Sequence, residues 1–521
     1  MDFLDLTFWS VVPPLVTIAL AIITREILLS LSIGVILGVL LKTHFVPLEA
    51  LKLLLVTLAG TTDEDGNFVA GAITDPDNCM LLLVIILIGG MLGLLVKSGG
   101  SQAFANLLIK KINTKSKAGI LTCVLGSFMF VDDYFDLLIN GTINKEICDK
   151  NKMAREKLTY YLDSVTAAAC QLSPISSWAA FVCSMLGASL VSAGIDKNTY
   201  MVYLSSIPNN FFAIASIVML FSVAIFGINI GPMRKAELRA ETTGKLWDNT
   251  FSGSDEDDFA SLEISKGQAK DLIIPIAILI TSVVLFMMQS GGFFQHHSVV
   301  RTVNEMDGIP AILSGFICSI IITVIYLNLR KLATVGELIN AIITGFKSMF
   351  YALCVLSLGW TLGSISESMG IADFMISLFG DTVPVFLIPA LLLLICSGMT
   401  FAIGGGWTTY AVMTPVIVPF ALATGADLSM CLSAMVAAGA LGALCSPLAD
   451  TSIVASMSGG IAILDHVKTQ IPYAAICGVM AVIAYIAKGL TGSLLIAYAA
   501  LAIMLFITIF ILTRVNKKAR I

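Results

Sequence analysis

The chain has 521 residues, 57% of them apolar and 12% charged, with a mean hydropathy of +0.93. That composition excludes soluble enzymes, nucleic-acid binders and disulfide-stapled secreted domains, and predicts an all-α polytopic membrane protein whose first partner is the lipid bilayer. The formal charge of -5 decides little, because the placement of Lys and Arg orients a membrane chain more than their sum does.

In chain order, the first half offers apolar segments at 9–24, 27–41 and 79–97, a segment at 118–141, an interrupted one at 156–192, and one at 200–226. The first of these is expected to be a retained span rather than a signal peptide, since no base precedes Arg25 and Pro13-Pro14 lies within it. Basic clusters flank 118–141: Lys110, Lys111, Lys115 and Lys117 before it, and Lys145, Lys150, Lys152, Arg155 and Lys157 after it. If both are cytoplasmic, the segment enters and leaves on one face as a re-entrant hairpin with Asp132-Asp133 near its tip. Residues 231–270 form the only long polar stretch and are expected to be a mobile cytoplasmic linker that buries little surface. Beyond it lie 271–289, 309–328, 348–364, a second hairpin within 384–421, an interrupted segment at 428–458, and 470–488. A further span at 491–513 precedes the basic residues Arg514, Lys517, Lys518 and Arg520, which place the C-terminus inside. Segments 47–60 and 335–347 read as amphipathic helices at the interface.

The two halves resemble each other. Tyr134 and Trp407 stand 273 residues apart, as do Ser173-Pro174 and Ser446-Pro447. Five crossings in the first half reverse the second, so residues 1–230 and 271–490 are expected to be inverted repeats, with 491–521 as an extra helix and tail. The expected architecture has about 11 transmembrane helices plus two re-entrant hairpins. Inverted repeats with interrupted helices are the architecture of secondary transporters, which locate their sites at the breaks.

Candidate site residues follow from the cost of polarity in hydrocarbon. Asp132 and Asp133 each cost about 2.5 to 3.5 kcal/mol at the centre of a lipid-facing helix, so they must face protein, water or a cation. A proline break frees carbonyls, and Ser173, Ser176 and Ser177 add hydroxyls around the first one. In the second break Asp450 takes the place of Ser177, followed by Thr451 and Ser452. Gly404, Gly405 and Gly406, with Thr408 and Thr409, expose backbone and hydroxyl groups suited to an ion or an anionic substrate group. Asp163 is either a proton relay or a salt-bridge partner of Arg155 and Lys157 at the cytoplasmic rim. His296-His297 and Asp255 to Asp258 read as solvated loop, and the eleven cysteines as small packing residues.

The run Phe130-Val-Asp-Asp-Tyr-Phe135, Gly141-Thr142, Arg155-Glu-Lys-Leu158, Asp163-Ser164, Ser173-Pro-Ile-Ser-Ser-Trp178 and Cys445-Ser-Pro-Leu-Ala-Asp-Thr-Ser452 resembles the NhaC family of Na⁺/H⁺ antiporters. The resemblance implies a cell-membrane transporter, in a prokaryote the inner membrane. It also implies exchange of Na⁺ for H⁺ with Asp132, Asp133, Asp163 and Asp450 at acidic motif positions. No cofactor beyond the transported or coupling ions is expected, and no enzymatic activity. Relatives include carriers of small carboxylates and amino acids, so Na⁺-coupled movement of a small organic anion or amino acid is the alternative; a homodimer stays open. The chain departs from the family pattern at Ile143-Asn144-Lys145 and at Ala167-Ala168-Ala169.

Overall fold

The computed structural model describes residues 9, 12–24, 26–62, 66–100, 103, 104, 107, 111–130, 133–174, 176, 178, 179, 181–183, 186, 190, 199–249, 266–306, 308–370 and 384–518. The first half runs α1 (Val12–Thr24), α2 (Ile27–Lys42), α3 (Pro47–Ala59), a short antiparallel pair β1 (Thr61–Thr62) and β2 (Phe68–Val69), α4 (Pro76–Ser98), α5 (Lys115–Phe128), α6 (Asp133–Lys150), α7 (Arg155–Leu172), α8 (Thr199–Ser206), α9 (Phe211–Phe226) and α10 (Gly231–Thr243). The second half runs α11 (Lys270–Ser290), α12 (Gly308–Leu329), α13 (Val335–Ser348), α14 (Phe350–Ser368), α15 (Ile388–Ile403), α16 (Gly406–Thr424), α17 (Leu428–Cys445), α18 (Asp450–Gly459), α19 (Ile463–Thr491) and α20 (Leu494–Lys518).

The chain is an all-α, multi-pass membrane protein. Among the described residues eight helices are long and apolar enough to cross a bilayer, or nine if α2 and α3, bent by 119°, form one broken span. About eleven were expected from the apolar runs. Two of those runs read differently here: α1 has only 13 residues, and α7 carries Arg155, Glu156, Lys157 and Asp163 within its 18.

Both expected hairpins and both expected breaks are present. Helices α5 and α6 pack together across residues 129–132, and α15 and α16 across Gly404-Gly405. Each hairpin rests on the interrupted helix of its own half, α7 and α17 respectively, while α18 packs across onto α6 and α7. Proline ends both interrupted helices, because it lacks an N–H and clashes with the preceding turn. Ser173 N–H closes α7 onto Ala169 O at 2.9 Å, and Ser446 N–H closes α17 onto Ala443 O at 2.9 Å. Small residues let the second hairpin approach α17: a Cβ on Gly442 would lie 2.5 Å from Ser397 O, and one on Gly439 2.0 Å from the Tyr410 hydroxyl. The same device seats α13 on α4, where a Cβ on Gly345 would lie 2.0 Å from Gly89 O.

Residues 231–249 correct the expectation of a mobile linker. Met233, Ala236, Glu237 and Ala240 recur at helical spacing and bury one face of α10. Glu237 accepts from the Ala154 N–H at 2.8 Å at the start of α7 and from Lys115 Nζ at 2.7 Å. Arg239 donates to both oxygens of buried Glu156 at 2.8 and 2.9 Å, and the Arg155 guanidinium lies 3.7 Å over the Trp247 ring. Asn249 then bridges to the start of α19, donating to Asp465 at 2.7 Å and accepting from the Ala462 N–H at 2.8 Å. Counting apolar residues underestimates such a segment, because charge pairs rather than greasy area dock it. Residues 250–265, including Asp255 to Asp258, lie outside the described residues.

Two outcomes are expected. Arg239→Ala leaves Glu156 buried without its bidentate donor and lowers stability by about 2 kcal/mol in detergent unfolding, whereas removing 252–263 leaves the midpoint where it was. An unchanged midpoint for Arg239→Ala speaks against the docked strap. Single cysteines at exposed Asn113 and Lys152, which flank the first hairpin, react with an impermeant maleimide from the same side of sealed vesicles. Labelling from opposite sides rules the hairpin out.

Candidate functional site

The two breaks meet the two hairpin turns. Asp133 opens α6 and is fully buried. Its Oδ2 accepts from the Trp178 indole N–H at 2.8 Å, just past the Ser173-Pro174 break, and its Oδ1 accepts from the Tyr134 backbone N–H at 3.1 Å. The next side chain reaches the other half: the Tyr134 hydroxyl donates to Asp450 Oδ2 at 2.7 Å. Asp450 begins α18, where the helix dipole favours a carboxylate, and its Oδ1 accepts from the Thr451 N–H at 2.8 Å. Its own N–H points to Gly404 O, 3.3 Å away in the second hairpin. That hairpin reaches back likewise, with Trp407 edge-on to Phe181 and to Trp178, at ring centroid distances of 4.6 and 6.1 Å. The contacts are reciprocal: the aromatic at each turn, Tyr134 or its counterpart Trp407, touches the break of the opposite half.

A second buried cluster forms around Ser452, two residues after Asp450 in α18. Asp163 Oδ2 accepts from Ser452 Oγ at 2.8 Å and Gln470 Nε2 at 2.8 Å, and lies 2.9 Å from His466 Nε2. Asp163 is therefore no rim salt-bridge partner. Arg155 instead pairs with Asp149 at 3.0 Å, and Lys157 donates to Asn229 at 2.7 Å. Distance along α7 explains this, since Asp163 lies about two turns, roughly 12 Å, beyond Arg155.

The remaining expected residues are mostly committed to the breaks themselves. Ser176 Oγ donates to Cys170 O at 2.7 Å and accepts from the Ala179 N–H, capping the resumed helix; Ser173 is buried at the end of α7. Ser446 Oγ stitches its break to Phe401 O at 2.8 Å. Buried Thr409 accepts from Thr400 Oγ1 at 2.8 Å and donates to Gly405 O at 3.2 Å. Gly404 has φ +85°, and a Cβ there would lie 2.4 Å from Leu448 O. Gly406 and Thr408 lie in the first turn of α16. Asp132 and Ser177 fall outside the described residues. His296 turns onto Gly291 O and His297 is exposed, and among the described residues no group of three or more His, Cys, Asp or Glu is arranged to hold a metal.

Sequence reasoning missed three side chains. Asp136 is buried and accepts from Thr166, and with Asp133, Asn140 and Asn144 it forms one polar stripe on α6 at spacings of three and four. That spacing was the available signal. His466 was missed because the apolar run was started at 470, whereas α19 begins at Ile463, and Gln470 because it was read only as the edge of that run; α19 buries both completely.

Residues 169–490, about three fifths of the chain, match the model of the Na⁺/H⁺ antiporter family. The chain belongs to that family. An uncharacterised protein of Haemophilus influenzae is 33% identical over 98% of this chain and 96% of its own length. The Na⁺/H⁺ antiporter NhaC of Bacillus subtilis is 26% identical over 39% of this chain and 46% of its own, in keeping with membership of the NhaC family. Among solved structures, Neisseria gonorrhoeae MtrF matches at a TM-score of 0.37 and 14% identity, covering 82% of this chain and 88% of its own. The YdaH transporter of Alcanivorax borkumensis matches at a TM-score of 0.36 and 14% identity, covering 87% and 98%. This antiporter-family chain is thus a secondary transporter.

Gly404→Ala forces a left-handed residue to carry a Cβ, which alone costs about 1 to 2 kcal/mol before the contact with Leu448 is counted. The variant is expected to unfold earlier and to lose transport. Wild-type behaviour in both measurements denies the glycine its role in seating the hairpin on the second break.

Proposed function

We propose that the chain is a Na⁺/H⁺ antiporter of the cell membrane, in which Na⁺ is held where the first hairpin meets the second break and a buried acid takes a proton in its place. One observation carries the proposal. Asp450 is a buried carboxylate at a helix break, with hydrogen-bond donors from Tyr134 and Thr451 and, among the described residues, no Lys or Arg partner. A carboxylate so placed has its negative charge met by dipoles alone, and a small hard cation or a proton completes the neutralisation. Asp133, with adjacent Asp132, supplies a second acidic position one residue from Tyr134. Ser173, Ser176, Thr451 and the freed carbonyls of the breaks are oxygen donors of the kind Na⁺ takes.

The reciprocal contacts of Tyr134 with Asp450 and of Trp407 with Trp178 support inverted repeats over 1–230 and 271–490. The carrier of a small carboxylate or amino acid is favoured less. The glycine turn is occupied by Leu448, and the Thr409 hydroxyl is bonded internally.

Purified protein in liposomes, with a pH dye inside, is expected to move protons on addition of Na⁺ alone. Asp450→Asn and Asp133→Asn keep the shape of the side chain but not its charge, and both are expected to bring that response to background at normal expression. Full sodium-driven proton movement in either variant removes that residue from the site. An obligatory requirement for an added organic acid in the unmutated protein turns the assignment to the alternative carrier.

A further inference from the structure

We propose that the proton exchanged for Na⁺ is carried by the Asp163–His466 pair, with His466 as its receiving group. The inference rests on the antiport reading above and assigns the proton a place apart from the Tyr134–Asp450 junction. Three donors converge on one oxygen: Ser452, Gln470 and His466 all bond Asp163 Oδ2. A carboxylate only accepts, so with Asp163 ionised the ring proton sits on His466 Nε2. Two buried atoms are then left without a hydrogen-bond partner among the described residues, Asp163 Oδ1 and His466 Nδ1. Both residues are buried, at 1% and 0% exposure, where an unmet polar atom is costly. The pair is a net single negative charge with two vacant basic positions, and one proton on either makes it neutral. Such a site takes up and gives back a proton without breaking any bond that holds it in place.

The surrounding groups have other engagements. On α18 Asp450 bonds Tyr134; on α19 Asp465 bonds Asn249, Lys468 stands on the same turn, and the Tyr473 hydroxyl bonds Ile228 O and the Ile230 N–H. Arg155, Glu156 and Lys157 stand at the far start of α7, and Tyr160 stacks on Tyr473. Cys445 ends α17; α10 turns Glu237 to Lys115 of α5 and Arg239 to Glu156; Asp133 and Asp136 of α6 bond Trp178 and Thr166. Gln470 also holds Leu444 O at 2.9 Å, fixing α17, α7 and α19 together at this point. Ser452 supplies the coupling: it stands two residues after Asp450 in the first turn of α18, so the charge on Asp163 acts directly on the turn that presents Asp450.

The test separates two modes of ²²Na⁺ flux in liposomes. Sodium-for-sodium exchange needs the Na⁺ site and the conformational cycle but no proton; uptake driven by an imposed pH gradient needs both. His466→Gln keeps a donor for Asp163 and cannot titrate. It is expected to retain sodium-for-sodium exchange while gradient-driven uptake falls by about a hundredfold. Equal loss of both modes in a monodisperse variant, or retention of gradient-driven uptake, overturns the proposal. Asp163→Asn, similar in shape, is held to the same criterion if His466→Gln does not fold. Absence of any gradient-driven uptake in the unmutated protein overturns the antiport reading itself, which distinguishes the two failures.

Discussion

A helix that stops inside an apolar protein strands backbone N–H and C=O groups that hydrocarbon cannot satisfy, and this chain contains two such stops. Everything around the site answers that constraint. Ser176 and Ser446 turn their hydroxyls onto freed backbone groups, and the Asp450 N–H finds Gly404 O. The hairpins supply the wall that keeps lipid from the breaks, which is why each packs on the interrupted helix of its own half. Close approach then demands small residues, met at Gly404, Gly439 and Gly442.

Charge is sorted along the same lines. Several acids away from the breaks have basic partners: Asp271 with Arg330 at 3.0 Å, Glu156 with Arg239, Glu237 with Lys115. Asp450 and Asp163 have none from Lys or Arg among the described residues: both Asp450 oxygens and Asp163 Oδ2 are served by hydroxyls, an amide, a backbone N–H group and one imidazole. A fixed Lys or Arg would neutralise a buried acid permanently. Neutral donors lower its desolvation cost while leaving the charge to be balanced by something that can leave.

How far the sequence discloses this depends on the range of the signal. The breaks were legible because proline acts locally, and the duplication made each Ser-Pro testify for the other. The first hairpin was legible from basic clusters on both flanks, and the second from its correspondence with the first. His466 was not, since its partner lies 303 positions away on another helix and hydropathy had trimmed it from the start of its own span. Asp163 was seen but misjudged between two roles, because nothing in a single segment says which neighbour a buried carboxylate will meet. The strap at 231–249 was misread for a related reason: its apolar content is low, and its docking depends on complementary charges at the starts of α5, α7 and α19.

The packing also partitions the helices in a way that bears on transport. Helices α4, α11, α12 and α13 pack chiefly on one another, with α4 seated on α13 by backbone contact at Gly89 and Gly345. The two hairpins, the interrupted helices, α9 and α19 form a second group, and α18 ties its halves together by packing on α6 and α7 while belonging to the second repeat. Among the described residues contacts between the groups are sparse, chiefly α4 with α6. A carrier that moves a buried site relative to the membrane needs this division, because tightly interlocked interiors do not slide whereas two bodies with a thin seam can rock. Tyr134 to Asp450 and Asp163 to His466 lie wholly within the second group, so a displacement of one group against the other would leave their hydrogen bonds intact.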